Sequence, residues 1–173
     1  MQELSVWEKA IRRGYLQGYK KYAMFPEAYV WMIEQMKNRL PNYKGEYPVW
    51  LWVKKPDMRS SGHFAGNTKC VRLTLELNRE DILKSDFDDW HSVLNNSICA
   101  TNEQEYDDFY AGKLSKTKEE TWERIFDIER ERDPMWDGVQ PRRLQAVTGP
   151  VPLSKVVRVE HFVSRKQPKW LTE

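Results

Sequence analysis

Residues 71–77 alternate strictly between apolar and polar side chains. A period of two is typical of a strand that packs one face against a core and leaves the other face in water. Stretches rich in β-branched and aromatic residues predict further strands at 47–53, 144–148 and 156–163. Strands spread along the chain in this way, with helical sequence before and between them, predict an α+β fold and not the regular βαβ winding of a parallel sheet.

The predicted helices have recognisable ends. Ser5 and Glu8 fit a capping box, and Gly14 fits the C-terminal cap of the helix that would follow. Pro26 suits the first turn of a second helix, which Pro41 would end. A stripe of residues at helical spacing within this second helix predicts a face that packs in the core. The stripe comprises Tyr29, Ile33, Met36 and Leu40.

Residues 101–132 predict a helical segment inserted between strands of the sheet. Thr101 and Thr117 each begin a capping-box pattern, and a helix with apolar residues at helical spacing follows the second of them. The chain has 173 residues, a length that favours one domain. We therefore expect a single α+β domain over residues 1–163, followed by a polar C-terminal tail at 164–173.

Charge and hydropathy exclude several classes of protein. The 28 Lys and Arg residues nearly balance the 26 Asp and Glu residues, so the net charge of +2 does not indicate nucleic acid as a partner. No apolar run approaches the ~20 residues of a membrane span, and the N-terminal residues lack the apolar core of a signal peptide. Cys70 and Cys99 have no metal-ligand spacing and predict reduced thiols. We therefore expect a cytoplasmic protein with no membrane partner.

Three aspartates and a histidine lie close together in the sequence, at Asp86, Asp88, Asp89 and His91, and are here called the acidic cluster. Closely spaced carboxylates are ligands for Mg²⁺, which is compatible with a metal-dependent nuclease. Acidic residues also favour the N-terminus of a helix, where they meet the positive end of the helix dipole. We prefer this second interpretation and expect no metal, because no second carboxylate cluster stands out. The motifs of phosphate-binding loops, dinucleotide-binding folds, zinc proteases and serine hydrolases are absent from the sequence.

One predicted strand carries aromatic residues beside cations. Trp50 and Trp52 are two residues apart and project to the same face. Lys54 continues that face, and Lys55 lies on the opposite one. Together with Arg59 in the loop that follows, these residues suit a nucleotide, whose base stacks on rings and whose phosphates pair with cations. The alternative is that the tryptophans pack on the second helix and the lysines mark the solvated end of the strand.

Two stretches have a distinctive sequence. Residues 50–57 read Trp-Leu-Trp-Val-Lys-Lys-Pro-Asp, and residues 85–95 read Ser-Asp-Phe-Asp-Asp-Trp-His-Ser-Val-Leu-Asn. With residues 6–16, 71–77 and 145–146, they give an order of segments that resembles the bacterial and phage family called domain of unknown function 3841. The resemblance covers most of the chain, and the family name implies no established activity.

A more remote resemblance concerns the order of the elements. The first predicted helix ends in Gly-Tyr-Leu at 14–16, and the strand at 47–52 is soon followed by a Lys-Lys-Pro-Asp-Met loop. The strand at 145–147 precedes a proline turn and a closing strand at 156–159. This order is similar to that of the ADP-ribosyltransferase fold, most of all the DNA-modifying ADP-ribosyltransferase toxins. The resemblance implies a split β-sheet flanked by helices, with NAD as the cofactor.

This second resemblance implies roles for particular residues. Gln145 takes the catalytic position, where the family has a glutamate, and a neutral amide cannot offer the negative charge that stabilises an oxocarbenium-like centre. Gln2 takes the place of the His or Arg that grips NAD. The remaining implied NAD-binding residues are Trp50, Trp52, Lys54, Lys55 and Arg59.

The sequence is compatible with three functions. The first is the transfer of ADP-ribose from NAD to a macromolecular acceptor, a protein or a nucleic acid, reached over the loop at 55–67. The second is a non-catalytic binding module, for instance a phage or mobile-element protein that docks on a host protein, and the missing carboxylate favours it. The third is the metal-dependent nuclease at the acidic cluster.

Overall fold

The structure is a computed structural model that describes residues 1–59 and 64–165. His63, which the sequence predicts as a solvated loop residue, lies outside the described residues. The same is true of residues 166–173 in the predicted polar tail.

The described residues form the predicted α+β class of fold, and they contain five α-helices and three small antiparallel sheets. The helices are α1 (Leu4–Arg13), α2 (Pro26–Arg39), α3 (Phe87–Leu94), α4 (Glu103–Tyr110) and α5 (Lys118–Trp122). The strands are β1 (Gln2–Glu3), β2 (Tyr15–Leu16), β3 (Val49–Trp52), β4 (Lys69–Leu75), β5 (Leu83–Asp86), β6 (Leu144–Thr148), β7 (Val151–Pro152) and β8 (Val156–Val163).

The strands pair in a way that separates two larger sheets. The first sheet has the order β1-β4-β8, and the second has the order β3-β6-β5. β2 and β7 form a separate two-stranded ribbon. Within the second sheet Trp52 lies opposite Gln145, so the tryptophan strand and the strand of the predicted catalytic residue are direct neighbours.

Several helix ends differ from the prediction. The capping box at Ser5 was wrong, because α1 begins at Leu4 and Glu3 occupies the N-cap position. Gly14 ends α1 in the left-handed conformation, with φ of 89°, as predicted. Thr117 forms the expected capping box with Glu120. In the other predicted box the N-cap is Asn102, while the carboxylate of Glu105 accepts hydrogen bonds from Thr101.

Each of the two larger sheets packs against its own apolar core. In one core β6 packs against α2, α3 and α5, and Met32, Met36 and Val147 are fully buried there. In the other core Trp7 and Ala10 of α1 pack on β4 and the short ribbon. The predicted stripe of α2 is confirmed for Ile33, Met36 and Leu40, which are buried, and Tyr29 is partly buried.

A partly buried ion pair connects two helical segments that follow residue 100. The guanidinium of Arg124 lies 2.6 Å from one carboxylate oxygen of Glu105 and 2.7 Å from the other. Burial alone would raise the pKa of Glu105, but the hydrogen bonds from Arg124 and Thr101 outweigh it and lower the pKa to about 2. The helix predicted after Thr117 is α5, which ends at Trp122 and is followed by a 3₁₀-helix at Glu123–Phe126, and residues 127–132 are not helical.

Gly18 fits tightly against the backbone that leads into β3. A Cβ atom there would clash with the carbonyl oxygen of Pro48 and lie 2.8 Å from that of Tyr47. Because a backbone carbonyl cannot swing away as a side chain can, we expect Gly18→Ala to destabilise the protein by about 1–3 kcal/mol. Gly149→Ala is the control, since its Cβ would lie 3.4 Å from the ring of Tyr43 and make ordinary contact. Urea unfolding measures both, and equal losses would contradict the prediction.

Candidate functional site

A hollow with a volume of about 480 Å³ lies between the two larger sheets and is here called the inter-sheet cleft. Residues 49–53 and residues 72–75 line it without interruption. Side chains alternate between the faces of a strand, so an uninterrupted lining means that the free edges of β3 and β4 border the cleft. β1 pairs with β4 only at Cys70 and Val71, which leaves the edge beyond them open.

The inter-sheet cleft collects most of the residues predicted to bind a nucleotide. Gln2, Trp50, Trp52 and Lys55 all line it. The amide nitrogen of Gln2 is buried and donates to no hydrogen-bond acceptor among the described residues. A buried donor without a partner costs free energy, and a ligand that accepts from it would recover that cost.

Two predicted cofactor-binding residues lie elsewhere. β3 ends at Trp52, so the alternation that would have aligned Lys54 with the tryptophans does not continue, and Lys54 is exposed outside the lining. Arg59 pairs with Asp57 at 2.8 Å on the surface. Hydrogen bonds from Arg59 lower the pKa of Asp57 to about 2, so this guanidinium is already committed to a carboxylate.

Gln145 faces a second hollow, here called the aromatic pocket, with a volume of about 420 Å³. Its side chain is buried, and its amide nitrogen donates to the hydroxyl of Ser85 at 3.4 Å. Trp52 and Phe87 lie beside it, with ring centroids 4.8 Å apart. Trp50 packs on Trp90, with ring centroids 4.9 Å apart, and the tryptophan face therefore packs on α3 as well as on α2.

The inter-sheet cleft is cationic. Its lining includes Lys55, Arg72 and Lys84, and no acidic residue lines it within the described part of the chain. Arg72 donates to Glu160 at 3.0 and 3.1 Å and to the carbonyl of Pro56 at 2.6 Å. The hydrogen bond from Arg72 lowers the pKa of Glu160, which stays ionised and also lies 3.4 Å from Lys55.

Lys84 is the cation of the cleft with no counter-ion among the residues that the structure describes. It lies on β5 opposite Ala146, which also lines the cleft. The sequence reasoning missed both Lys84 and Arg72. Arg72 was only a polar position in the alternating strand. Of β5, Leu83 was assigned to the end of a short helical turn, and Lys84 was assigned to no element. A four-residue strand leaves too short a pattern to separate it from a turn.

The acidic cluster is held by arginines. Asp86 caps α3 through the backbone N–H groups of Asp88 and Asp89, as preferred in the sequence reasoning, and it also pairs with Arg142 at 3.0 Å. Asp88 pairs with Arg143, and Asp89 pairs with Arg130 at 3.1 Å. Within residues 1–59 and 64–165 no group of three or more His, Cys, Asp and Glu side chains could hold a metal ion. The pairing of all three aspartates with arginines favours a structural role for the cluster over a metal-dependent nuclease.

A comparison with family models identifies the chain's relatives. The model described as "Domain of unknown function (DUF3841)" matches residues 1–120. The chain belongs to the DUF3841 family. In this DUF3841 chain the matched region contains β3, β4 and β5, and with them Lys55, Arg72 and Lys84, while Gln145 lies beyond it. No curated protein and no solved structure is significantly similar to the chain.

The lengths and hydropathy of the helices in this DUF3841 protein determine whether any of them could cross a membrane. Among the helices that the structure describes, none combines the length and the apolar character that crossing a bilayer requires.

Proposed function

We propose that this DUF3841 protein binds NAD in the inter-sheet cleft and transfers ADP-ribose to a macromolecular acceptor, in the manner of an ADP-ribosyltransferase. The observation that carries the proposal is the cleft itself, a hollow between the free edges of two antiparallel sheets with cations and no acidic residue in its described lining. As part of this proposal, the two larger sheets correspond to the split β-sheet of the ADP-ribosyltransferase fold. The helices inserted after residue 100 are not part of that correspondence.

The lining suits the parts of a dinucleotide. A pyrophosphate carries two negative charges, which Lys84 would neutralise directly and Lys55 by exchanging its exposed contact with Glu160 for the phosphate. The partnerless amide of Gln2 would donate to a ribose or carboxamide oxygen. Trp52 offers a ring on which a base or the nicotinamide stacks, and the aliphatic residues of the lining exclude water.

The transfer step breaks the glycosidic bond of NAD, and nicotinamide leaves with the bonding electron pair. A nucleophilic oxygen or nitrogen of the acceptor forms the new bond to the ribose carbon and releases its proton to solvent. Gln145 lines the aromatic pocket and not the cleft, so in this proposal the ribose extends past Trp52, which lines both hollows, to reach the amide of Gln145 on the neighbouring strand. An amide adds no negative charge, so we expect a transfer rate well below that of an enzyme with a carboxylate there.

NAD binding is tested first by thermal unfolding and calorimetry. At about 100 times its dissociation constant, NAD is expected to add about 2.7 kcal/mol of stability, which is roughly 5–10 °C in Tm for a chain of this length. Lys84→Ala is expected to weaken NAD binding about tenfold, because it removes one charge-assisted contact. Lys54→Ala is the matched control, since Lys54 is exposed outside the cleft, and it should change affinity less than about twofold.

Transfer itself is tested with labelled NAD and cell lysate. The proposal fails if NAD produces no thermal shift, no labelled acceptor and no free nicotinamide. If transfer occurs but survives Gln145→Ala unchanged, the role of Gln145 is wrong while the site stands.

A second candidate function is a non-catalytic module that binds a host protein. It is favoured by one observation, which is that the predicted catalytic position carries a buried amide already bonded to Ser85. A stoichiometric partner retained from host lysate without NAD, together with an absence of transfer, would support this candidate over the enzyme.

A further inference from the structure

A surface strip beside the cleft combines exposed rings with unpaired cations. The strip, here called the basic-aromatic strip, covers residues 12–25 and contains no acidic residue. Its exposed side chains are Arg12, Tyr15, Tyr19, Lys20, Lys21, Tyr22, Met24 and Phe25, with Arg13 half-buried among them. None of its four cations forms an ion pair with the residues that the structure describes.

Rings and cations alternate along the strip. The guanidinium carbon of Arg13 lies 4.7 Å from the ring centroid of Tyr15 and 5.4 Å from that of Tyr19. The ammonium of Lys21 lies 5.8 Å from the ring centroid of Tyr19 and 4.9 Å from that of Tyr22. Arg13 also donates to the carbonyl of Tyr15 at 2.8 and 3.2 Å and to the hydroxyl of Tyr19, so it orders the two rings. Lys20 and Lys21 form no ion pair with the described residues, and their charges remain available to a ligand.

The strip leads into the aromatic pocket. Tyr22, Met24 and Phe25 belong to the strip and also line the pocket. Trp52 and Phe87 line the pocket as well. A row of exposed rings and cations therefore ends at a concave, ring-lined hollow whose volume of about 420 Å³ exceeds that of a single nucleobase.

We propose that the basic-aromatic strip and the aromatic pocket bind single-stranded nucleic acid. Unpaired bases stack on exposed aromatic rings, and the phosphate backbone follows adjacent cations. A duplex hides the faces of its bases, so it could use the cations but not the rings. An anionic membrane would also attract the cations, but it needs a protruding apolar surface and makes no use of a concave pocket.

The near-zero net charge of the chain conceals this surface. The net charge of +2 is a sum over the whole chain, in which acidic residues elsewhere in the sequence offset the four cations of the strip. Electrostatic attraction of a nucleic acid depends on the local potential, and that potential is set by the spatial grouping of charges. The proposal does not depend on NAD, and it stands or falls separately from the proposed function.

Fluorescence anisotropy with labelled 20-nucleotide DNA and RNA strands of mixed sequence tests the proposal. At 50 mM salt we expect saturable binding of the DNA strand, the RNA strand or both, and at least tenfold weaker binding of the matching duplex. The two single strands distinguish DNA from RNA as the natural source. We expect affinity to fall steeply with salt, with a slope reduced by about 0.7 for each phosphate contact that a variant loses.

Paired variants locate the binding surface. Tyr22→Ala should weaken binding at least fivefold, and Tyr110→Ala is the matched control because the two rings are similarly exposed, at 64% and 60%. Lys21→Glu should weaken binding at least tenfold, whereas Lys116→Glu, in the loop between α4 and α5, should change it less than twofold. All four side chains are exposed, so the variants are expected to fold, and circular dichroism verifies this.

The proposal is overturned by several results. Absence of binding to both single strands at 50 mM salt would refute it, and so would duplex binding as tight as single-strand binding. Equal losses from Tyr22→Ala and Tyr110→Ala would place the site elsewhere. Binding to vesicles rich in phosphatidylserine without binding to either strand would replace the nucleic acid with a membrane.

Discussion

Asp86→Ala is expected to lower the free energy of unfolding by about 3–5 kcal/mol. The carboxylate is 3% exposed and accepts hydrogen bonds from the backbone nitrogens of Asp88 and Asp89 at 2.7 and 3.1 Å. Its other oxygen lies 3.0 Å from Arg142. Truncation removes the helix cap and leaves a buried guanidinium without its counter-charge, and breaking a buried pair from one side costs this much.

Urea unfolding of neighbouring variants separates these contributions. Asp86→Asn keeps a side chain that caps as well as aspartate, so it should lose only the part due to Arg142. Asp88→Ala removes an ion pair with Arg143 in which both side chains are exposed, and it should cost less than about 1 kcal/mol. Equal losses from Asp86→Ala and Asp88→Ala would show that the cap and the buried pair contribute little.

Trp90→Ala is expected to have an effect of similar size for a different reason. Trp90 is 4% exposed and packs from α3 against the rings of Trp50 and Tyr29. Removing a buried indole leaves a cavity that the neighbouring rings cannot fill, and such changes cost about 3–5 kcal/mol. Because Trp50 also lines the inter-sheet cleft, we expect weaker NAD binding in the variant as well.

Trp136→Ala provides the comparison for Trp90. Trp136 is 39% exposed and donates from its indole nitrogen to the carbonyl of Ala100 at 3.0 Å. Its loss should cost less than about 2 kcal/mol, since little cavity remains at a half-exposed site. Thermal unfolding and near-ultraviolet circular dichroism measure both variants. A smaller effect at Trp90 than at Trp136 would mean that the aromatic cluster is not part of the main core.

Long, periodic elements were predictable from the sequence, and short ones were not. The period of two at 71–77 and the proline-bounded α2 correspond closely to the observed elements, because each pattern repeats several times. β1, β2 and β7 have two residues each, so they carry no repeat at all. They exist because they pair with a longer strand or with each other, and such pairing is a tertiary effect.

The residue types of the candidate site were predictable from the sequence, but the cavity that each residue lines was not. Trp50, Trp52 and Lys55 stand out because rings and cations occur together on one strand. The cavity that each residue lines depends on where β3 ends and on which edge of the sheet remains unpaired. A local sequence pattern predicts neither of these. For the same reason Gln145 was expected in the cleft with Gln2, yet it lines the aromatic pocket on the other side of Trp52.

The separate packing of the two larger sheets has a mechanical consequence. Each wall of the inter-sheet cleft rests on its own set of buried side chains, one set around α1 and the other around α2 and α3. A large-to-small substitution in one core should therefore disturb the wall that rests on it and leave the packing behind the other wall intact. The two walls are joined where Arg72 of β4 donates to the carbonyl of Pro56, just after β3.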